Sequence, residues 1–216
     1  MSNVHMRTVV FVTVVDHHAS DAEHALAPVN GEALLTHTVR GLLEVPDLDL
    51  VVVVAPERCA LLFSAAVSGF PERCRIVPGP SLKDAFDTVE REIAGNAAFL
   101  VHDVLRAFTP ADTVRAVIDA VRAGSPSVVP VLPMADTVKV TDAAKVITGT
   151  EDRAHLRTAQ TPLGFTRETF LSYVDKPSLE GAHTVAGHPD AMRVTSSFEL
   201  KLAEAIAVAG KGEGAL

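Results

Sequence analysis

An open, doubly wound α/β sheet, mostly parallel, is the fold this sequence predicts. Three observations predict it: apolar runs without alternation recur along the chain, amphipathic helical patterns separate them, and the two kinds of segment alternate in order. Strands covered by helices on both faces need no polar side, so they read as continuous valine-rich runs. Val9 to Val15, Leu50 to Ala55, Ala97 to Val101 and Ser127 to Leu132 are such runs. Between them Leu35, Val39, Leu42 and Leu43 share one helical face, and Val114, Val117, Ile118 and Val121 share another. The second of these helices has readable ends, with Thr109 as N-cap, Pro110 at the first helical position, Asp112 near the positive end and Gly124 past the stop. A last helix opens at Ser196-Ser197-Phe198-Glu199 with capping-box spacing and is expected to bury Phe198, Leu202, Ala205 and Ile206.

The rhythm breaks between Ala135 and Thr150. There Thr137-Val138-Lys139-Val140 and Lys145-Val146-Ile147-Thr148 flank Asp142-Ala143-Ala144, the pattern of a β-hairpin. A hairpin arm at about 135–150 must cover its apolar face, and the same arm of a second copy is the expected cover, giving a homodimer. No repeat, low-complexity tract or linker divides the chain, so residues 1–216 are read as a single domain carrying this arm.

A chain of 216 residues with 48% hydrophobic content can bury one sizeable core. Nineteen Lys and Arg against 27 Asp and Glu give a formal charge of −8 with no basic stripe, which argues against a nucleic-acid partner. A small phosphorylated ligand needs only local positive charge. Cys59 and Cys74 form neither a CxxC pair nor a metal spacing and fit idle thiols in a reducing compartment. The apolar run Thr8 to Val15 is short, β-branched and followed by the polar stretch Asp16 to His24, unlike a secretory segment. Nothing approaches the roughly 18 apolar residues of a membrane span. A cytoplasmic protein without a membrane partner is expected.

Ligands of open α/β sheets collect beyond the carboxyl ends of the strands, and the run Ala97 to Val101 ends in His102-Asp103. A carboxylate there can hold Mg²⁺ together with water and ligand phosphates, and Arg106, three residues on, can grip a phosphate. The same two residues also suit a loop-capping aspartate paired with an arginine, and spacing alone does not separate the two readings. His17, His18 and His24 raise the question of a metal cluster, but their spacing matches no ligand pattern and a polar surface loop accounts for them better.

The segment His102-Asp103-Val104-Leu105-Arg106-Ala107-Phe108 resembles the HDAARP-type motif of the 2-C-methyl-D-erythritol 4-phosphate cytidylyltransferases of isoprenoid synthesis. Three further matches follow in order. Pro130-Val131 with Asp136-Thr137-Val138-Lys139 is similar to that family's PV…DTIK arm, Thr150 to Arg153 to its TxxR-type element, and Gln160 to Phe165 to its QTPQGF. Met192-Arg193-Val194-Thr195 stands where the family has an NKIT-like stretch, and the resemblance spans about residues 7 to 209. It implies a nucleotidyltransferase-like, Rossmann-like fold and a dimer whose arm reaches the partner's site. It also implies transfer of a cytidylyl group from CTP to methylerythritol phosphate with Mg²⁺. By the same resemblance Asp103 would bind the metal, Arg106 would orient that site, Arg193 would serve catalysis, and Thr137, Arg153 and Thr161 would contact the sugar phosphate. A solvated arm charge is the other account of Arg153.

The nucleotide side departs from the pattern. The family's AAGxGxRM-like loop cradles the triphosphate through backbone N–H groups, whereas Val14 to His24 here holds no glycine, arginine or lysine and three carboxylates. His24 falls about where a lysine is expected, and Lys83 is the residue left to replace the arginine of the GGxxRxxSV-like element, where Phe86 follows instead of a small hydroxyl. A TDDA-like segment with its following strand has no room between Glu180 and Pro189, and Arg193 replaces a lysine. The expectation is a divergent family member impaired in the reaction, or a non-catalytic paralogue that binds a phosphorylated small molecule or a protein.

Overall fold

The computed structural model describes residues 6–13, 19–79, 81–93 and 95–213. The chain runs β1 (Arg7–Thr13), α1 (Ala19–Ala25), a small hairpin of β2 (Pro28–Val29) and β3 (Glu32–Ala33), α2 (Leu34–Leu43), β4 (Leu50–Ala55), α3 (Ala60–Ala66) and β5 (Cys74–Pro78). It continues through α4 (Leu82–Val89), β6 (Ala97–Asp103), α5 (Ala111–Arg122), β7 (Ser127–Pro133), the pair β8 (Lys139–Thr141) and β9 (Ile147–Thr150), β10 (Arg157–Ala159) and β11 (Leu163–Phe165). The last elements are α6 (Arg167–Asp175), β12 (His183–Ala186) and α7 (Ser197–Glu213).

The main sheet has the order β10-β7-β11-β6-β1-β4-β5, with β12 along β7. Strands β6, β1, β4 and β5 are mutually parallel, β12 is parallel to β7, and β10 and β11 are antiparallel to successive stretches of β7. The mostly parallel, doubly wound sheet expected from the valine runs is therefore present. From β1 the chain winds out to β4 and β5 on one side, then returns to β6 on the other. The switch of direction falls between β1 and β6, where Thr13 is the register partner of Asp103.

Side chains alternate between two cores. On one face Val10, Val12, Val51, Val53 and Leu100 pack with residues of α1, α2, α5 and α7. On the other, Val9, Phe11, Val52 and Phe99 meet Phe86 of α4 and Phe170 of α6, with the Phe99 and Phe170 rings 4.8 Å apart. Gly164 in β11 is where α5 lies flat on the sheet. A Cβ there would stand 2.5 Å from Val117 Cγ1 and 2.9 Å from Val121 Cγ2, so the helix seat requires glycine.

Several details differ from the sequence reading. The N-cap of α5 is Pro110, not Thr109, whose hydroxyl donates to the Arg106 carbonyl instead. The capping box of α7 forms, with Ser196 Oγ accepting from Glu199 N–H and the Glu199 carboxylate reaching Thr195 N–H. Yet α7 turns Ala203 and Ala207 inward and leaves Phe198 74% and Leu202 42% exposed, because the small alanines allow the helix closer to the sheet's helical layer. Ala205 is exposed as well, and Ile206 is half-buried. Residues 19–25 are helical rather than loop, and a strand, β12, does fit between Glu180 and Pro189. Val14 to His18, including His17 and His18, lie outside the described residues. Residues 139–150 form the expected hairpin, with Val140, Val146 and Ile147 exposed on it. Among the described residues no helix is long and apolar enough to cross a membrane.

Candidate active site

Asp103 ends β6 at the switch point and is almost fully buried, with Val104 N–H donating to the carbonyl of Thr13 in β1 at 3.0 Å. Its Oδ1 accepts from Leu105 N–H at 3.0 Å, the local turn that an aspartate makes two residues ahead of itself. Its Oδ2 accepts from Arg193 Nε at 2.6 Å, and the same guanidinium donates through Nη2 to Asp21 Oδ2 at 2.8 Å. One arginine thus bridges two carboxylates whose side chains are 3% and 5% exposed. Burial works against the Arg193 charge, but its hydrogen bonds to Asp21 and Asp103, and the charges of those carboxylates, outweigh it and hold its pKa above the ordinary arginine value.

Behind Asp103 runs a directed chain of hydrogen bonds. His102 Nε2 faces the Arg106 carbonyl at 3.2 Å, which fixes the proton on Nε2 and makes Nδ1 an acceptor. Thr161 Oγ1 then donates to Nδ1 at 3.0 Å and accepts from Asp103 N–H at 3.0 Å. The imidazole stays neutral, its pKa pushed down to about 3. Burial strips water from the charged form, an effect that the Arg106 carbonyl opposes and the Arg106 charge reinforces.

The stretch that carries Arg193 is held by side chains. Gln160 Oε1 accepts from His188 N–H at 2.9 Å, and its Nε2 donates to the carbonyls of His188 at 2.9 Å and Ala191 at 3.4 Å. Arg106 Nη1 donates to the Ala191 carbonyl at 2.5 Å, and Val194 N–H to the Leu105 carbonyl at 2.9 Å.

The residues singled out by sequence therefore fall into separate groups. Asp103, Arg106, Thr161 and Arg193 come together, with the Thr161 hydroxyl buried behind Asp103. Thr137 and Arg153 are exposed at the arm, where the Arg153 guanidinium donates to the Ala135 carbonyl. Lys83, in the first turn of α4, is exposed and paired with Asp87 at 3.5 Å. His24 donates from Nδ1 to the Ser20 carbonyl at 2.8 Å within α1. Asp21 and Gln160 are the participants that sequence reasoning missed. Among the described residues no group of three or more His, Cys, Asp or Glu side chains is placed to hold a metal ion.

The family model for 2-C-methyl-D-erythritol 4-phosphate cytidylyltransferase matches residues 16–209. The chain is 39% identical over 200 residues to the protein of that name from Saccharopolyspora erythraea, covering 84% of this chain and 89% of that one. It is 38% identical over 199 residues to the one from Nocardia farcinica, covering 84% of each. Among solved structures, the cytidylyltransferase from Thermus thermophilus superposes with a TM-score of 0.68 at 25% identity, over 94% of this chain and all of the other. With its switch-point aspartate and its arm in place, the chain belongs to the 2-C-methyl-D-erythritol 4-phosphate cytidylyltransferase family.

Proposed function

We propose that this chain binds methylerythritol phosphate, the phosphorylated polyol of its family's reaction, and that its cytidylyl transfer from CTP is impaired. The observation that carries this reading is the bridge from Asp21 through Arg193 to Asp103. In the transfer, an oxygen of the sugar phosphate attacks the α-phosphorus of CTP, one P–O bond forms, another breaks, and pyrophosphate leaves. Such chemistry asks the protein for position and positive charge. Arg193 brings that charge, but two buried carboxylates already offset it, leaving the Asp21–Arg193–Asp103 bridge formally negative, with Arg106 as the further cation of the site. One of them, Asp21, belongs to α1, on the first segment after β1, where the family's glycine loop would wrap a triphosphate. A CTP tail entering there meets repulsion rather than a cradle.

The polyol side is supported differently. Arg153 and Thr137 sit exposed at the arm, a bidentate donor and a hydroxyl suited to a phosphate monoester. Thr161 acts behind Asp103, holding its backbone and the His102 ring. The exposed Val140, Val146 and Ile147 make a second copy the natural cover for the hairpin, so we assign a homodimer with Arg153 and Thr137 serving the partner's site.

The resemblance implies Mg²⁺ at Asp103. The donor set does not fit that ion in this arrangement. Asp103 Oδ1 is engaged by Leu105 N–H and Oδ2 by Arg193, while Asp21 takes the other end of the same guanidinium.

Turnover of CTP and methylerythritol phosphate with Mg²⁺ tests the reading, set beside the Saccharopolyspora erythraea relative. Expected is a rate lower by on the order of 10²–10³, the usual cost of losing a preorganised donor, with calorimetric binding of methylerythritol phosphate retained. Turnover equal to the relative's, or no binding of the sugar phosphate, overturns it.

A further inference from the structure

We propose that the Arg193 guanidinium takes the place of a divalent cation at Asp103, making this a metal-free site in which an arginine joins the carboxylates that would otherwise share an ion. Two aspartate side chains at 3% and 5% exposure stay ionised side by side only where a cation lies between them, since the alternative is a shared proton that neutralises one of them. Mg²⁺ is held by one or two carboxylates together with water and ligand phosphates, in near-octahedral contact at about 2.0–2.1 Å. Asp21 and Asp103 are such a carboxylate pair. In this chain the facing oxygen of each is bonded to one guanidinium, at 2.8 and 2.6 Å, distances of charge-assisted hydrogen bonds.

The replacement changes what the site can do. A divalent ion offers open coordination positions to an incoming phosphate, whereas Arg193 commits two of its donors to protein carboxylates and carries half the charge. A guanidinium also stays charged across the whole working pH range, so proton loss does not vacate the position. The Arg193 stretch is moreover fastened on both sides, by Gln160 and Arg106 at Ala191 and by Leu105 at Val194. Binding of a phosphorylated ligand here is thus expected to be indifferent to Mg²⁺. This inference stands apart from slow transfer, since a chain slow with CTP can still bind a metal.

The test is Mn²⁺ binding to the full chain, read by electron paramagnetic resonance without nucleotide. Wild type is expected to show no specific site up to millimolar ion. Arg193→Ala is expected to gain one site at least roughly tenfold tighter, to lose it in the Arg193→Ala/Asp103→Asn double variant, and to gain thermal stability from added Mn²⁺ that wild type does not. Stoichiometric Mn²⁺ on wild type that Asp103→Asn removes overturns the proposal, and so does an Arg193→Ala protein that binds Mn²⁺ no better than wild type. The wild-type titration decides even if Arg193→Ala does not fold.

Discussion

The hydroxyl of Thr161 lies 3.0 Å from Nδ1 of His102 and gives its proton to that ring, while its oxygen takes the backbone N–H of the neighbouring Asp103, also at 3.0 Å. Replacing Thr161 by valine keeps the shape but leaves a buried ring nitrogen and a buried amide without partners. Each such orphan costs about 1–3 kcal/mol, so Thr161→Val is expected to lose about 2–6 kcal/mol in denaturant melts and Thr161→Ser to keep most of it. An unchanged midpoint in the valine variant would mean that the hydroxyl's role is outside the fold.

The buried imidazole gives stability a pH signature. His102 titrates at about 3 in the folded chain and near 6.5 when unfolded, so between those values the unfolded state binds the extra proton. The stability this residue allows is fully present above pH 6.5 and is lost as pH falls toward 3. Its slope is at most about 1.4 kcal/mol per pH unit. Urea melts from pH 7.5 to 4.5 are expected to show that slope flattened in His102→Gln relative to wild type; parallel curves would refute the assignment.

Removal of the bridging guanidinium leaves two buried carboxylates uncompensated. Breaking a buried ion pair on one side costs about 3–5 kcal/mol, which for a chain of this size lowers Tm by roughly 6–20 °C. Arg193→Ala is expected within that range by calorimetry, and a shift under about 2 °C would show the bridge to be solvent-screened.

Val146 and Ile147 are 59% and 62% exposed on a two-stranded hairpin that is marginal by itself. Deleting residues 136–150, or making Val146→Asp with Ile147→Lys, is expected to convert a dimer into monomers in light scattering at micromolar concentration. A monomeric wild type contradicts the arm's proposed role.

Phosphate recognition by the arm separates two cations. Arg153→Ala is expected to weaken methylerythritol phosphate binding by about 10–150-fold, the equivalent of a charge-assisted bond of about 1.5–3 kcal/mol. Lys83→Ala, which removes an exposed pair with Asp87, is expected to change it less than about threefold. Calorimetric titration of both variants decides, and equal effects would place the phosphate elsewhere.

The sheet is legible because strands such as Leu50–Ala55, buried at every position, need valine on both faces and leave an uninterrupted run. Short pieces escape: β5 is broken by Arg75, and β12 carries exposed His183 and Thr184, so neither shows a period. The face of α7 misleads because the larger apolar residues, Phe198 and Leu202, point outward while close packing selects Ala203 and Ala207. Asp103 and Arg193 can be read from motif resemblance. Asp21 cannot, because its partner lies 172 residues away and a carboxylate amid Ser20, Glu23 and His24 has the local signature of a wet surface. Gln160 is visible as part of a motif, yet its work is done on backbone carbonyls, which a sequence does not display.

The stretch from His188 to Val194 contains one short 3-10 turn, Pro189–Ala191, and otherwise neither helix nor strand. Much of its shape comes from the Gln160 carboxamide, which bonds the main chain at 188 and 191, with Arg106 joining at Ala191 and the His188 ring accepting from Asp190 N–H. Side chains of this stretch that make no such bond, Ala191 and Met192 among them, can therefore change while the arginine keeps its address, and conversely one exchange at Gln160 would misplace the cation with every charged residue still intact.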